Sequence, residues 1–143
     1  MISKAEKEIL LLKVKSPEDI DFGEAHLSIL KENGYVDFAK FGRSLLKTDA
    51  IVKGDAILIK ESMKNGGKLY KGIVEELVAN GSTYPDYYKE YLSMNAIWFR
   101  LSSLEIIDDE SFLSRYETRA GGEVGKALKS MSPNFYIRMK TNG

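Results

Sequence analysis

The stretch "KGDAILIKESMKNGGKLYKGIVEEL", residues 53–77, decides how the rest of the chain is read. Residues 55–61 and 68–78 form two strands, and "NGG" at 65–67 supplies turn residues that tolerate positive φ, so the stretch is a β-hairpin. Its second strand carries Gly72 in the middle. Glycine there loses backbone entropy and contributes no side chain to packing, so something must come close enough to need the room.

Outward from the hairpin, short strands alternate with short helices. Residues 8–14 read as a buried first strand. "DFGEAHLSILKENG" (21–34) is a helix, with Asp21 as N-cap, Glu24 in a capping box and Gly34 just past the end. "YVDFAK" (35–40) alternates as a strand, and "RSLLKTDAI" (43–51) leans towards a short helix. "STYPDYYKEYL" (82–92), with Pro85 where a helix can start, is a short helix or a loop with one turn. "AIWFRLSSLEII" (96–107) is a long strand, and "DDESFLSRY" (108–116) a short helix capped by Asp108 or Asp109. "EVGKALKSM" (123–131) places Val124, Ala127, Leu128 and Met131 on one stripe, and "NFYIRMK" (134–140) closes as a strand. This order predicts an α+β fold, a mixed β-barrel or strongly curved sheet with short helices packed outside, in one domain spanning 1–143.

The composition is that of a soluble globular protein, 43% hydrophobic and 29% charged. Twenty-one basic residues balance twenty-one acidic ones, so no bulk field draws the chain to nucleic acid or an anionic membrane. Any nucleic-acid contact must come from a local patch. The absence of cysteine excludes disulfides, thiol catalysis and thiolate metal sites, and fits a reducing cytoplasm. The apolar run at 9–12 is too short for a leader or a membrane span, and a cytoplasmic location is expected.

Several catalytic signatures fail on spacing. "GGEVGKAL" (121–128) is one residue short of a phosphate loop between Gly121 and Gly125, and Ala127 stands where a hydroxyl is required. "YPDYYKEYL" has a nuclease-like Pro-Asp pair but no following acid-x-Lys. One histidine and no cysteine leave too few ligands for zinc, so neither metal nor cofactor is expected. His26 has the pKa of a general base, but beside Phe22 and Leu30 it reads as a partly buried structural residue. Glu105, Asp108, Asp109 and Glu110 read as helix-capping acids rather than a cation site.

Two features stand out. In "DFAKFGRSL", Lys40 and Arg43 interleave with Phe38 and Phe41 around Gly42; rings stack on bases while cations answer phosphates, although a turn with snorkelling cations has the same composition. In residues 115–143, Arg115, Arg119, Lys126, Lys129, Arg138 and Lys140 outnumber Glu117 and Glu123, as on a one-faced anion-binding surface. Tyr84, Tyr87, Tyr88 and Tyr91 cluster ahead of Trp98; most belong to the core, and a minority wall a pocket.

The succession "DFAKFGRSLL", "VKGDAILIK", "YKGIVEELV", "TYPDYY", "AIWFRLSSLEII" and "ALKSMSPNFYIRM" resembles the EVE domain of the PUA-like superfamily, over roughly residues 35–140. The resemblance implies a PUA-like pseudobarrel of about six strands, related to YTH, ASCH and PUA domains, that binds a modified base in DNA or RNA. It points to Lys40, Phe41, Gly42, Arg43 and Ser44 as pocket residues, and to Lys60, Glu61 and Ser62 at the end of the first hairpin strand. Asp37 and Phe38 stand near where a tryptophan is typical, and "IKES" replaces a Tyr-His-Ser-like run, so the ligand can differ from the usual one. A ring would then lie in a groove beside Gly72, Tyr70 and Val74, with Trp98 near; a β-bulge that bends the sheet explains Gly72 equally well. Arg119, Lys126, Lys129 and Arg138 are the candidates for the nucleic-acid backbone.

The expected function is non-catalytic recognition of a modified nucleobase or related nucleotide. The alternatives are an ASCH-type amidohydrolase, using Lys40 or Lys47, Thr48, and Glu75 or Glu76, and a protein-interaction regulator. The expected partner is nucleic acid or a modified nucleotide, with no membrane.

Overall fold

The computed structural model describes residues 8–42, 51–130 and 132–140. The hairpin lies at the middle of its sheet. β3 (Ala56–Glu61) and β4 (Leu69–Val78) pair antiparallel, with Ile57 opposite Gly72 and Ile59 opposite Tyr70. A 3-10 turn at Met63–Asn65 and two left-handed glycines, Gly66 and Gly67, make the reversal. β5 (Ala96–Ile107) pairs antiparallel with β4 on one side and with β2 (Val36–Phe41) on the other. β1 (Ile9–Val14) runs parallel to β3 and carries β7 (Asn134–Met139), which in turn carries β6 (Tyr116–Thr118). The order is β2-β5-β4-β3-β1-β7-β6, seven strands where about six were expected.

Strand alternation sorts the apolar residues into two main cores. Leu10, Leu12 and Val14 of β1 share one buried cluster with Val36 and Phe38 of β2, although the two strands are not neighbours in the sheet. The sheet must therefore curl around that cluster. α1 (Phe22–Asn33) packs against the same core through Phe22, Leu27 and Leu30, inside the curl rather than outside it. Asp21 accepts the Glu24 amide at 3.1 Å, and Gly34, at φ 81°, ends the helix as its sequence predicts. The other face buries Leu11, Leu58 and Ile137 beneath Tyr116 and the short α2 (Val124–Leu128). Each such fully buried aliphatic side chain contributes about 1.5–3 kcal/mol.

The curl stops short of closure, which corrects the expected barrel to an open mixed sheet. No backbone ladder joins β1 to β2 among the described residues. The reason lies on the free edge of β2, where a segment between β4 and β5 already takes the outward amides. Asp37 N–H donates to the Thr83 carbonyl at 2.7 Å and Ala39 N–H to the Tyr88 hydroxyl at 3.3 Å. A covered edge does not pair again.

Gly72 also has its explanation. The β4–β5 ladder slips between Ile73 and Val74 and again between Val74 and Glu76, so the irregular, bending part of the strand begins beside the glycine. A Cβ on Gly72 would stand 3.1 Å from Leu101 Cδ1. The groove expected there is filled by Leu101, and Tyr70 is fully buried beside the Phe22 ring. Among the described residues, no helix is long and apolar enough to cross a membrane.

Candidate cleft at the open seam

Where β1 and β2 fail to pair, the surface opens as a cleft of about 630 Å³. The parallel register of β1 and β3 sets Lys13 directly beside Lys60 on the outer face. From the opposite bank, the Lys40 ammonium crosses the seam and donates to the Lys13 carbonyl. Lys15, exposed at the end of β1, stands at the rim. The loop after α2 adds a third wall with Ser130, Ser132 and Pro133, and the Lys13 ammonium donates to the Ser130 carbonyl at 2.8 Å. Lys60 donates to the Gly67 carbonyl. Among the described residues, four lysines line the cleft and no carboxylate does.

An adjoining hollow of about 280 Å³ shares Val14, Lys15, Ala39 and Phe41 with the cleft and is walled by Tyr87, Tyr88 and Tyr91. Phe41 is the ring common to both. It meets Tyr88 edge-on at 5.1 Å and Tyr91 at 5.6 Å between centroids. The side chain at the seam is therefore electrostatically loaded on one flank and aromatic on the other. Burial, and then the neighbouring Lys13 and Lys15 charges, hold the Lys40 ammonium below the usual lysine range. Burial alone does the same to Lys13.

Of the residues expected from the sequence, Lys40, Phe41, Lys60 and Ser62 come together in this cleft. Gly42 adjoins it at φ 112°. Arg43 and Ser44 lie outside the described residues, as do Lys47, Thr48 and most of the helix expected at 43–51. Tyr70 and Gly72 belong to the inner core. Trp98 lines a separate hollow of about 390 Å³ on the other side of Phe41. One face of its ring is covered by Gly81, where a Cβ would stand 2.2 Å from Cε3. The close approach of backbone to ring, sought at Gly72, occurs at Gly81 instead.

The tail cations are placed differently. Arg119 forms a two-pronged pair with Glu8, both bonds at 2.7 Å, and lies 4.8 Å above the Tyr136 ring. Arg138 pairs with Glu117 at 2.9 Å. Lys126 and Lys129 are exposed. Two of the four proposed backbone contacts are thus neutralised within the fold.

The sequence reading passed over Lys13 and Lys15. The signal was present: along β1 the outward-facing positions change from Leu11 to Lys13, and Lys15 follows, while Leu10, Leu12 and Val14 stay apolar. Asp37, which stands near where the resemblance expects a tryptophan, is fully buried and lines neither the cleft nor the adjoining hollow. Desolvation pushes its carboxyl up, but the two bonds from Arg100 at 2.8 and 3.1 Å and the Ser82 and Thr83 amides outweigh this and hold it below the ordinary range. Glu75 pairs with Lys53 at 3.0 Å and Glu76 with Arg100 at 3.6 Å; neither lines the cleft that holds Lys40. Among the described residues, no group of three or more acids or histidines is placed to hold a metal ion. Asp109 accepts from Ser111 and Arg115. No protein-family model, curated protein or solved structure matches this chain.

Proposed function

We propose that the chain is a non-catalytic binding module for a modified nucleobase or related nucleotide, on a PUA-like, EVE-type scaffold whose barrel remains open at one seam. The ring of the ligand lies against Phe41 and Tyr91, and its anionic part lies among Lys13, Lys15, Lys40 and Lys60. The observation that carries this reading is that, among the described residues, a cleft lined by four lysines and no carboxylate adjoins an aromatic-walled hollow. A flat ring gains about 1–3 kcal/mol by stacking, and phosphate contacts add a salt-dependent part. An open seam supplies the concavity without emptying the core, which side chains fill.

The test is a titration with nucleotides and short single-stranded oligonucleotides, with and without modified bases, over a series of salt concentrations. Saturable binding that weakens with salt is expected, and Phe41→Ala should reduce affinity by about tenfold or more while the thermal transition stays cooperative. Absence of saturable binding to every probe overturns the reading.

A further inference from the structure

Resting on that reading, we propose that the ligand presents a terminal phosphate to the lysines, as a nucleoside monophosphate or the phosphorylated end of a single strand does, and that an internal phosphodiester does not suffice.

Lys13 and Lys60 are register partners in a parallel ladder, which sets two like charges side by side on one face of the sheet. Lys40 adds a third ammonium from across the seam and Lys15 a fourth at the rim. Among the described residues, no side chain in the cleft lining offsets them. An internal phosphodiester brings one negative charge, whereas a terminal phosphate brings between about 1.5 and 2 at neutral pH, with three acceptor oxygens to share among the ammonium groups. The distribution of charge elsewhere points the same way. A strand followed along its backbone needs a track of cations. Here Arg119 and Arg138, which would extend the track, are paired with Glu8 and Glu117, whereas four lysines share one hollow. Its volume of about 630 Å³ is in the range of a pocket for one small ligand.

The proposal is tested by measuring, in one buffer, affinities for inorganic phosphate, nucleoside monophosphates, the matching nucleosides, and single-stranded oligonucleotides with and without a phosphate at either end. Each phosphorylated probe should bind at least about tenfold more tightly than its unphosphorylated counterpart. The gap should close in Lys15→Ala and in the double variant Lys13→Met/Lys60→Met, the first of which alters only an exposed side chain. Tighter binding of the free monophosphate, or of the strand, identifies which source the cleft serves. Equal binding of phosphorylated and unphosphorylated probes overturns the terminal-phosphate proposal and leaves base recognition standing. Binding of none overturns both.

Discussion

Tyr88 joins α1 to β2 through His26, whose Nε2 lies 2.5 Å from the tyrosine hydroxyl. The Nδ1 atom of the same ring lies 2.8 Å from the Phe22 carbonyl, which can only accept, so Nδ1 carries the proton. Nε2 then accepts from Tyr88, and the tyrosine oxygen accepts the Ala39 amide. The chain of bonds runs in one direction, from the edge of β2 to the helix. It fixes the tyrosine that backs the aromatic flank of the cleft.

Tyr88→Phe removes the middle of this chain and leaves a buried nitrogen and a strand-edge amide without partners. The expected cost is about 1–3 kcal/mol. A lower urea midpoint with an unchanged slope is the expected result; an unchanged midpoint would show that the bonds add nothing to stability.

Acid acts on the same residue. Burial pushes the His26 imidazole down to about 4 from 6.5, so it is neutral in the fold and titrates near 6.5 in the unfolded chain. Between those two values the unfolded state binds the extra proton. Stability due to this group is complete above 6.5 and is lost as pH falls towards 4, by about 3 kcal/mol across the window. Urea unfolding at about pH 7 and about pH 5 should show the decline before most carboxylates titrate. A flat profile would contradict the buried, neutral assignment.

Glycines at two positions should respond with opposite signs. Gly81→Ala drives a methyl into the Trp98 ring and should cost about 1–3 kcal/mol. Trp98 is the only tryptophan, so displacement of its ring should appear directly as a red-shifted emission. In α2, a Cβ on Gly125 meets nothing within 4 Å, and Gly125→Ala should stabilise by about 0.5–1 kcal/mol. Calorimetric melting of both variants checks the pair.

Gly23 and Tyr70 form a second close contact. A Cβ on Gly23 would stand 2.7 Å from the Tyr70 hydroxyl, a buried oxygen that makes no well-formed hydrogen bond among the described residues. Gly23→Ala should destabilise, and adding Tyr70→Phe should restore only the part due to the hydroxyl, because ring atom Cε2 would still stand 2.9 Å from the new Cβ. Tyr70→Phe alone should be close to neutral, because it deletes an unsatisfied group. A double-mutant cycle with no coupling would rule out the contact.

Local signals were legible in the sequence. The Asp21 cap, the Gly34 stop, the glycine turn at 65–67 and the closing strand "NFYIRMK" are each set by residues a few positions apart, and each element formed where it was read. Shorter pieces were less so. "EVGKALKSM" keeps only Val124–Leu128 as helix, and three residues of "DDESFLSRY" and its sequel, Tyr116–Thr118, became a strand because β7 offered an edge. The parallel pairing of β1 with β3 left no local trace. It brings Lys13 beside Lys60, so half of the cationic cleft depended on a long-range partner. Gly72 misled for a related reason: a strand glycine marks either open space or a bend, and only the position of Leu101 distinguishes them.

Lys13 reaches Ser130 across 117 positions, and β1 is flanked by strands that follow it much later in the chain. A topology so dominated by distant partners folds slowly, because the ends of long loops must meet before they gain contacts. During synthesis, β1 waits with one side unoccupied until residues 130–139 emerge. The third bank of the cleft arrives in the same interval. Ligand capture is therefore acquired late, and a nascent chain halted before that point would present an unprotected, aggregation-prone ribbon to the cell.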